Sequence, residues 1–284
     1  MSADTVLTCA VCSSRHSRSI YRGLRRCEEC TFVWADLTLS EAELEDIYGK
    51  NYFLGGEYTN YLAEEKAFKF GFRKILNSIR NWYPAGPGQT LLEIGCAYGF
   101  FLDVAKESFS TTGVEINDEA ADFSAKRGHR ILRGDFLNVD VPKQSVDVVV
   151  ALAVMEHLQY PDRYLEKAAQ SLKPGGLFCL TTGDIDSLVA RCSGPRWRLI
   201  YPPTHVSYWS ADTLRKILDR YGFDVVECRK SWQWRGLDAV LYPLLHNVLK
   251  MKKLYEFFRR LGVTDWPFCF NLWDIVYIVA RKRA

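Results

Sequence analysis

The chain contains no long apolar run. No stretch approaches the ~20 uninterrupted apolar residues that a spanning helix needs, so no transmembrane segment is expected. It also lacks a charge surplus of either sign. Thirty-seven Lys and Arg against 34 Asp and Glu leave a formal +3 over 284 residues, too mild to argue for a nucleic-acid partner. Internal repeats and low-complexity tracts are absent, which excludes a repeat array. The opening residues, Met-Ser-Ala-Asp-Thr-Val, lack the basic and apolar regions of a secretory leader. The expectation is a soluble cytoplasmic protein. What remains is ordinary globular composition, 48% hydrophobic and 25% charged. That is enough for one large α/β domain plus something small, or two modest domains.

Cysteine is plentiful but unevenly placed. Of nine, four stand at Cys9, Cys12, Cys27 and Cys30, and the rest are scattered. An odd total in a chain without a leader argues against a disulfide framework. Two C-x2-C pairs separated by fourteen residues read as metal-binding knuckles. Two intervening residues let both thiolates of a pair reach one ion, and two pairs complete a tetrahedron around zinc. Four thiolates leave no position for water, so the site is read as structural. Some 35 residues have little core of their own, and a metal would make up the difference.

The stretch Thr90-Leu-Leu-Glu93-Ile-Gly95-Cys-Ala97-Tyr-Gly99-Phe-Phe-Leu102 reads as a buried strand, a small-residue turn and the start of a helix. A second strand ends at Glu115, twenty residues beyond Gly95. A carboxylate at that place accepts hydrogen bonds from both ribose hydroxyls of a nucleoside ligand. Asp118 is a candidate cap for the helix that follows. Further strands are expected at 130–136, 146–151, 177–182, 224–228 and 271–280. Strand and helix alternate, as in a doubly wound α/β fold whose ligand lies outside the carboxyl ends of the strands. Ahead of this core, Ser40-Glu-Ala-Glu43 is a capping box. A helix is expected over 64–82, and Tyr52, Phe53, Tyr58 and Tyr61 either pack or form a lid.

Five motifs stand in order: Glu93-Ile-Gly95-Cys-Ala97-Tyr-Gly99, Gly113-Val-Glu115, Gly134-Asp135-Phe136, Val154-Met-Glu156-His157-Leu158 and Leu172-Lys-Pro-Gly-Gly176. Over about residues 85–230 the chain resembles the class I S-adenosylmethionine-dependent methyltransferases. With its cysteine knuckles, the Tyr52-Phe53 segment and Pro203-Thr-His205-Val-Ser-Tyr208, it is similar to a bacterial subgroup acting on small molecules, often sugars and secondary metabolites. The resemblance implies a Rossmann-like, seven-stranded, mostly parallel sheet with helices on both faces. To it are added a zinc-binding module (1–36), a helical bridge or lid (37–88), and a helical insert with the last strand (231–284); the core is 89–230. It further implies that the turn Gly95–Ala97–Gly99 wraps the methionine part of S-adenosylmethionine, with Glu93 also in the cofactor site. Glu115 would hold the ribose, Ile116 and Phe136 would sandwich the adenine, and Asp135 would accept from its amino group, with Ala151 also in the cofactor site. Ala97 stands where the family commonly has glycine. A dinucleotide dehydrogenase would want G-x-G-x-x-G, which Ala97 and Phe100 break.

Methyl transfer needs alignment and often a base, and neutral histidine suits that role near pH 7. His157, after the fourth strand, and His205, in a proline-stiffened aromatic loop, are the catalytic candidates. Arg191, Arg196 and Arg198 could read an anionic group on the acceptor or simply solvate a loop. Where related quinone O-methyltransferases carry a further metal-binding acid, this chain has Ala153, which argues against a catalytic metal. The insert 232–270 recurs in Leu and Val at helical spacing and carries Lys250, Lys252, Lys253, Arg259 and Arg260. Lys252 and Arg259 fall near its apolar stripe, so a lid or dimer contact is preferred over peripheral membrane contact through 237–261. The leading expectation is O- or C-methylation of a small-molecule acceptor. An RNA-base methyltransferase and a catalytically silent cofactor-binding protein are the alternatives. The sequence leaves the oligomeric state open.

Overall fold

The computed structural model describes residues 8–21, 23–49, 52–53, 61–86 and 88–284; Tyr58 lies outside them. Three short strands, β1 (Ser17–Tyr21), β2 (Leu24–Cys27) and β3 (Val33–Ala35), make an antiparallel meander. The expected capping box then opens α1 (Glu41–Ile47). Ser40 Oγ accepts from the Glu43 amide, and the Glu43 carboxylate accepts from the Ser40 amide at 2.8 Å. The long helix α2 (Glu65–Trp82) buries Leu76 and Ile79 against the core.

The core alternates strand and helix: β4 (Thr90–Ile94), α3 (Phe100–Ala105), β5 (Ser110–Glu115), α4 (Asp118–Lys126), β6 (Arg130–Arg133), β7 (Val146–Leu152), α5 (Pro161–Ser171) and β8 (Leu172–Gly183). After β8 come α6 (Leu188–Ser193), β9 (Ser207–Tyr208), α7 (Ala211–Arg220) and β10 (Phe223–Lys230). The insert holds β11 (Gln233–Gly236), α8 (Asp238–Leu241), a π-helical stretch (Tyr242–Val248), α9 (Lys252–Arg260) and β12 (Pro267–Phe270). The last strand is β13 (Ile275–Lys282). The seven-stranded sheet runs β10-β13-β8-β7-β4-β5-β6, parallel except that β13 lies antiparallel to both its neighbours.

Alternation along β4 explains the two faces. Leu92 and Ile94 pack with Val149, Phe178, Leu165, Leu214 and Ile217 on one side. Leu91 packs with Val148, Val150, Phe101, Val104 and Ile79 on the other. A strand buried on both faces reads as a continuous apolar run, and each such side chain contributes about 1.5–3 kcal/mol. The α4 cap is Asn117, whose side chain accepts from the Ala120 amide at 2.8 Å. Asp118, the expected cap, is the first helical residue instead, where its charge suits the dipole.

The N-terminal strands are joined to the core. β9 pairs antiparallel with β3 (Val33 with Tyr208, Trp34 with Ser207), completing a four-stranded sheet. Cys9, Val11, Phe32 and Trp34 share one apolar cluster with Trp209 and Leu214. The Phe32 and Trp209 rings lie 4.5 Å apart. The partition at residue 36 is therefore one of sequence, and packing runs straight across it.

Candidate active site

At the carboxyl end of β4 the chain turns through Gly95, Cys96 and Ala97 into α3. Gly95 has φ +69°, and a Cβ there would stand 2.8 Å from Val154 Cγ2, so glycine keeps this turn open. Ala97 also adopts a left-handed conformation, φ +47°, which costs an alanine energy that the family's usual glycine would not spend. It is held there by its amide, which donates to Glu115 Oε2 at 2.7 Å. Glu115 Oε1 accepts from the Asn117 amide at 2.8 Å. Burial pushes the Glu115 carboxyl up, against the pull of these amides.

These residues border a cavity of about 520 Å³. One half is lined by Gly95, Ala97, Glu115, Ile116, Asp135 and Phe136. Asp135 sits at the end of β6, accepting from the Leu137 amide and the Tyr164 hydroxyl, each at 2.6 Å. Ile116 is 38% exposed and adds an apolar surface to the same cavity half as the two carboxylates. The donor chemistry fits a nucleoside: acceptors stand where ribose hydroxyls and an amine would donate, with apolar side chains for a ring face. These residues could hold S-adenosylmethionine.

Three expected cofactor residues do not line the cavity. Glu93 is buried behind the turn, its Oε2 without a partner, and burial followed by the nearby Glu115 pushes its carboxyl well up. Gly99 packs α3 against α4, where a Cβ would collide with Ser124. Ala151 is buried inside the sheet, and the lining begins one residue later at Leu152. Side chains alternate along β7, so an inward Ala151 turns the next residue toward the cavity end.

The other half of the cavity is bordered by Leu39, Tyr48, Tyr52, His157, Gln159 and Tyr160. Among the expected aromatics, Tyr52, Phe53 and Tyr61 line the cavity, while Phe53 and Tyr61 also pack on Tyr98. His157 follows β7 on a single 3-10 turn, Met155–His157. Its Nδ1 lies 3.0 Å from the Thr204 carbonyl, which can only accept, so that nitrogen carries the hydrogen. Nε2 therefore bears the lone pair, with the Tyr52 hydroxyl at 3.5 Å. Burial, then the adjacent His205, lowers the His157 pKa to about 3. His205 is not in the cavity lining. It is 4% exposed, one ring behind His157 at 4.8 Å between centroids, with Nδ1 2.8 Å from the Leu199 carbonyl. Glu156, His157 and His205 bring one ligating atom each within 4.8 Å of one another, and Glu156 accepts from Thr182 Oγ1 at 2.7 Å.

None of the three candidate arginines borders this cavity. Arg198 makes two 3.1 Å bonds to the buried Asp274, and Arg191 lies 3.8 Å from Asp186. The residues missed from sequence are those that hold the wall in place. Asn117 Nδ2 donates to the Tyr48 and Gly49 carbonyls, and Gln159 Oε1 accepts from the Leu39 amide at 2.7 Å. Asn117, two residues after Glu115, was the only one of these with a local signal, as a helix cap.

The four N-terminal cysteines converge as their spacing predicts. Their sulfurs lie within 4.8 Å of one another, with Cys9–Cys30 at 3.4 Å and Cys12–Cys27 at 3.5 Å. A tetrahedron with Zn–S bonds of about 2.3 Å separates its sulfurs by about 3.8 Å, so the cluster could hold zinc with little movement. The hydrogen bond between Cys9 and Cys30 raises the first thiol and draws the second down to about 5.

Sheet order, strand-end carboxylates and the open turn define a class I methyltransferase architecture, and comparison with known proteins agrees. A family model described as "Methyltransferase domain" matches residues 64–228, and the chain belongs to that family. It is 27% identical over 153 residues to a probable S-adenosylmethionine-dependent methyltransferase of Mycolicibacterium smegmatis, covering 53% of this chain and 58% of the relative. It is 27% identical over 149 residues to a ubiquinone biosynthesis O-methyltransferase of Bradyrhizobium sp., covering 48% and 57%. The chain thus spans less than two thirds of the length of these curated relatives. An S-adenosylmethionine-dependent methyltransferase of Thermotoga maritima shares the fold, with a TM-score of 0.52, 18% identity, and coverage of 78% of this chain and 92% of that one.

Proposed function

We propose that the protein transfers a methyl group from S-adenosylmethionine to a small-molecule acceptor, by O- or C-methylation. The observation that carries this reading is one continuous cavity. It joins the carboxylate-lined half at Glu115 and Asp135 to the aromatic half at Tyr48, Tyr52 and His157. The cofactor, when bound, supplies an electrophilic methyl group on a sulfonium. Glu115 and Asp135 bind and orient the nucleoside. The open turn at Gly95 admits the amino-acid portion. Tyr48, Tyr52 and Tyr160 exclude water and present ring faces and hydroxyls to the acceptor. His157 accepts the acceptor's proton, or its hydrogen bond, at Nε2. His205 and the Thr204 carbonyl are positioning groups that fix the His157 tautomer and ring plane. The O-methyltransferase relative supports a small-molecule acceptor. The four cysteines hold a structural zinc.

Titration calorimetry with S-adenosylhomocysteine tests the cofactor assignment. Glu115→Ala should weaken binding by about 1–3 kcal/mol through lost charge-assisted hydrogen bonds; unchanged affinity would remove Glu115 from the site. An acceptor screen with labelled cofactor then tests catalysis. Binding without transfer to any sugar, quinol or phenol would favour a cofactor-sensing protein instead.

A further inference from the structure

Most large apolar side chains that stand exposed among the described residues fall in one segment, Trp232 to Trp273. Trp266 is 63% exposed, Trp273 61% and Val248 70%. The helical pattern here differs from the one the sequence suggested. The chain breaks between Val248 and Lys252, so α9 starts a register of its own. Within it, Leu254, Phe257, Phe258 and Leu261 follow i, i+3, i+4, i+7 spacing and form one stripe. Lys252 and Arg259 then fall on the opposite side, not beside the stripe.

One edge of the stripe faces outward, while Leu254 and Phe258 on its other edge are half-buried. Phe257 and Leu261 are exposed, whereas Tyr255 is buried and its hydroxyl bonds Asp238 at 2.8 Å, anchoring the helix to the insert. A helix packed only for stability would bury Phe257. Lys253 and Arg260 flank the stripe, and they, like Lys250 and Lys252 elsewhere on the segment, are exposed with no carboxylate partner among the described residues. Only Arg259 has one, Glu256, at 3.8 Å. Indole rings, an outward apolar stripe and unpaired cations together match the headgroup region of an anionic bilayer. A second copy of the chain fits less well, because a two-fold interface sets the same patch, and so the same cations, against itself.

We propose that the insert, through α9 and the flanking tryptophans, docks the protein on an anionic lipid surface. The inference is independent of the methyl-transfer reading, but the two are physically connected. Glu64, three residues beyond the cavity-lining Tyr61, accepts from the Gly236 amide at 2.9 Å and pairs with Arg235 at 3.2 Å.

The test is vesicle flotation of the full chain. Vesicles of phosphatidylcholine alone are compared with vesicles containing about one-third phosphatidylglycerol. The expected result is flotation with the anionic vesicles, weakened by salt, and little with the neutral ones. Lys253→Ala with Arg260→Ala, the cations that flank the stripe, should reduce anionic partitioning by about fivefold per cation. Phe257→Ser with Leu261→Ser should abolish it. Both pairs should leave S-adenosylhomocysteine affinity unchanged, which reports folding. Equal binding to both vesicles, or none to either, would overturn the proposal. So would a vesicle-free dimer in light scattering that Phe257→Ser with Leu261→Ser dissolves, since it would assign the stripe to a second copy.

Discussion

His157 shows how far a single residue can be read from its neighbours. An ordinary histidine titrates near 6.5, but here burial and His205 hold the group neutral down to about 3. Turnover should therefore show no histidine limb around pH 6.5, and a pH–rate profile with one would place the base elsewhere. The same shift bears on stability. Between about 3 and 6.5 the unfolded chain binds a proton at this position and the folded chain does not, so stability falls as pH drops through that window. His157→Gln should flatten part of that acid limb in melting curves. It should also lower kcat with cofactor affinity intact, by less than the roughly 10²–10⁴-fold of a base poised near neutrality. Sequence alone singled out Gly95, Glu115, Asp135 and His157, which line the cavity, because each follows a strand end where the chain must turn. It did not separate them from Glu93 and Ala151, since the inward or outward sense of a strand end depends on which face meets which helix.

At the scale of elements, the surprise is β9. Two residues carry no strand signal of their own, and only pairing with β3 makes Ser207–Tyr208 a strand. The same segment is stitched to the turn that carries His157. Val206 N donates to the Glu156 carbonyl at 2.9 Å, Ser207 Oγ to Leu158 O at 2.8 Å, and Trp209 Nε1 to Met155 O at 3.0 Å. A cysteine cluster read as a separate structural module thus supports the turn that carries His157 through one strand. Stripping metal with a strong chelator, or Cys27→Ser, should raise amide exchange at 17–35 and at 206–209 together, and should lower kcat. Cofactor affinity should change little, because Glu115 and Gly95 lie on other strands. Exchange confined to 17–35 with full turnover would show that the two regions are uncoupled.

For the whole molecule, the succession of strands and helices along the chain was legible because apolar runs alternate with helix stops. The insert was not. Its helix register depends on a break near Leu249, and its exposed face cannot be told from a buried one by periodicity. The joined N-terminal sheet makes a further prediction. Removing residues 1–36 would uncover Trp209 and delete Phe32, Val33 and Trp34, all buried. At about 1.5–3 kcal/mol for each buried apolar side chain, that loss rivals the ~5–15 kcal/mol by which such domains are stable. The truncated chain should aggregate or unfold at markedly lower urea than the full chain. A soluble truncation with an unchanged urea midpoint would restore the picture of an autonomous module.

The β3–β9 pairing also sets a timetable. Trp34 leaves the ribosome long before its partner Ser207, and at roughly 5–20 residues per second the gap is about 10–35 seconds. Throughout that interval the nascent N-terminus has an unpaired strand edge, and until metal is captured it also has four free thiols. Early capture of metal would order the meander and withdraw the thiols from oxidation, but the β3 edge itself stays open to other partners until β9 is made.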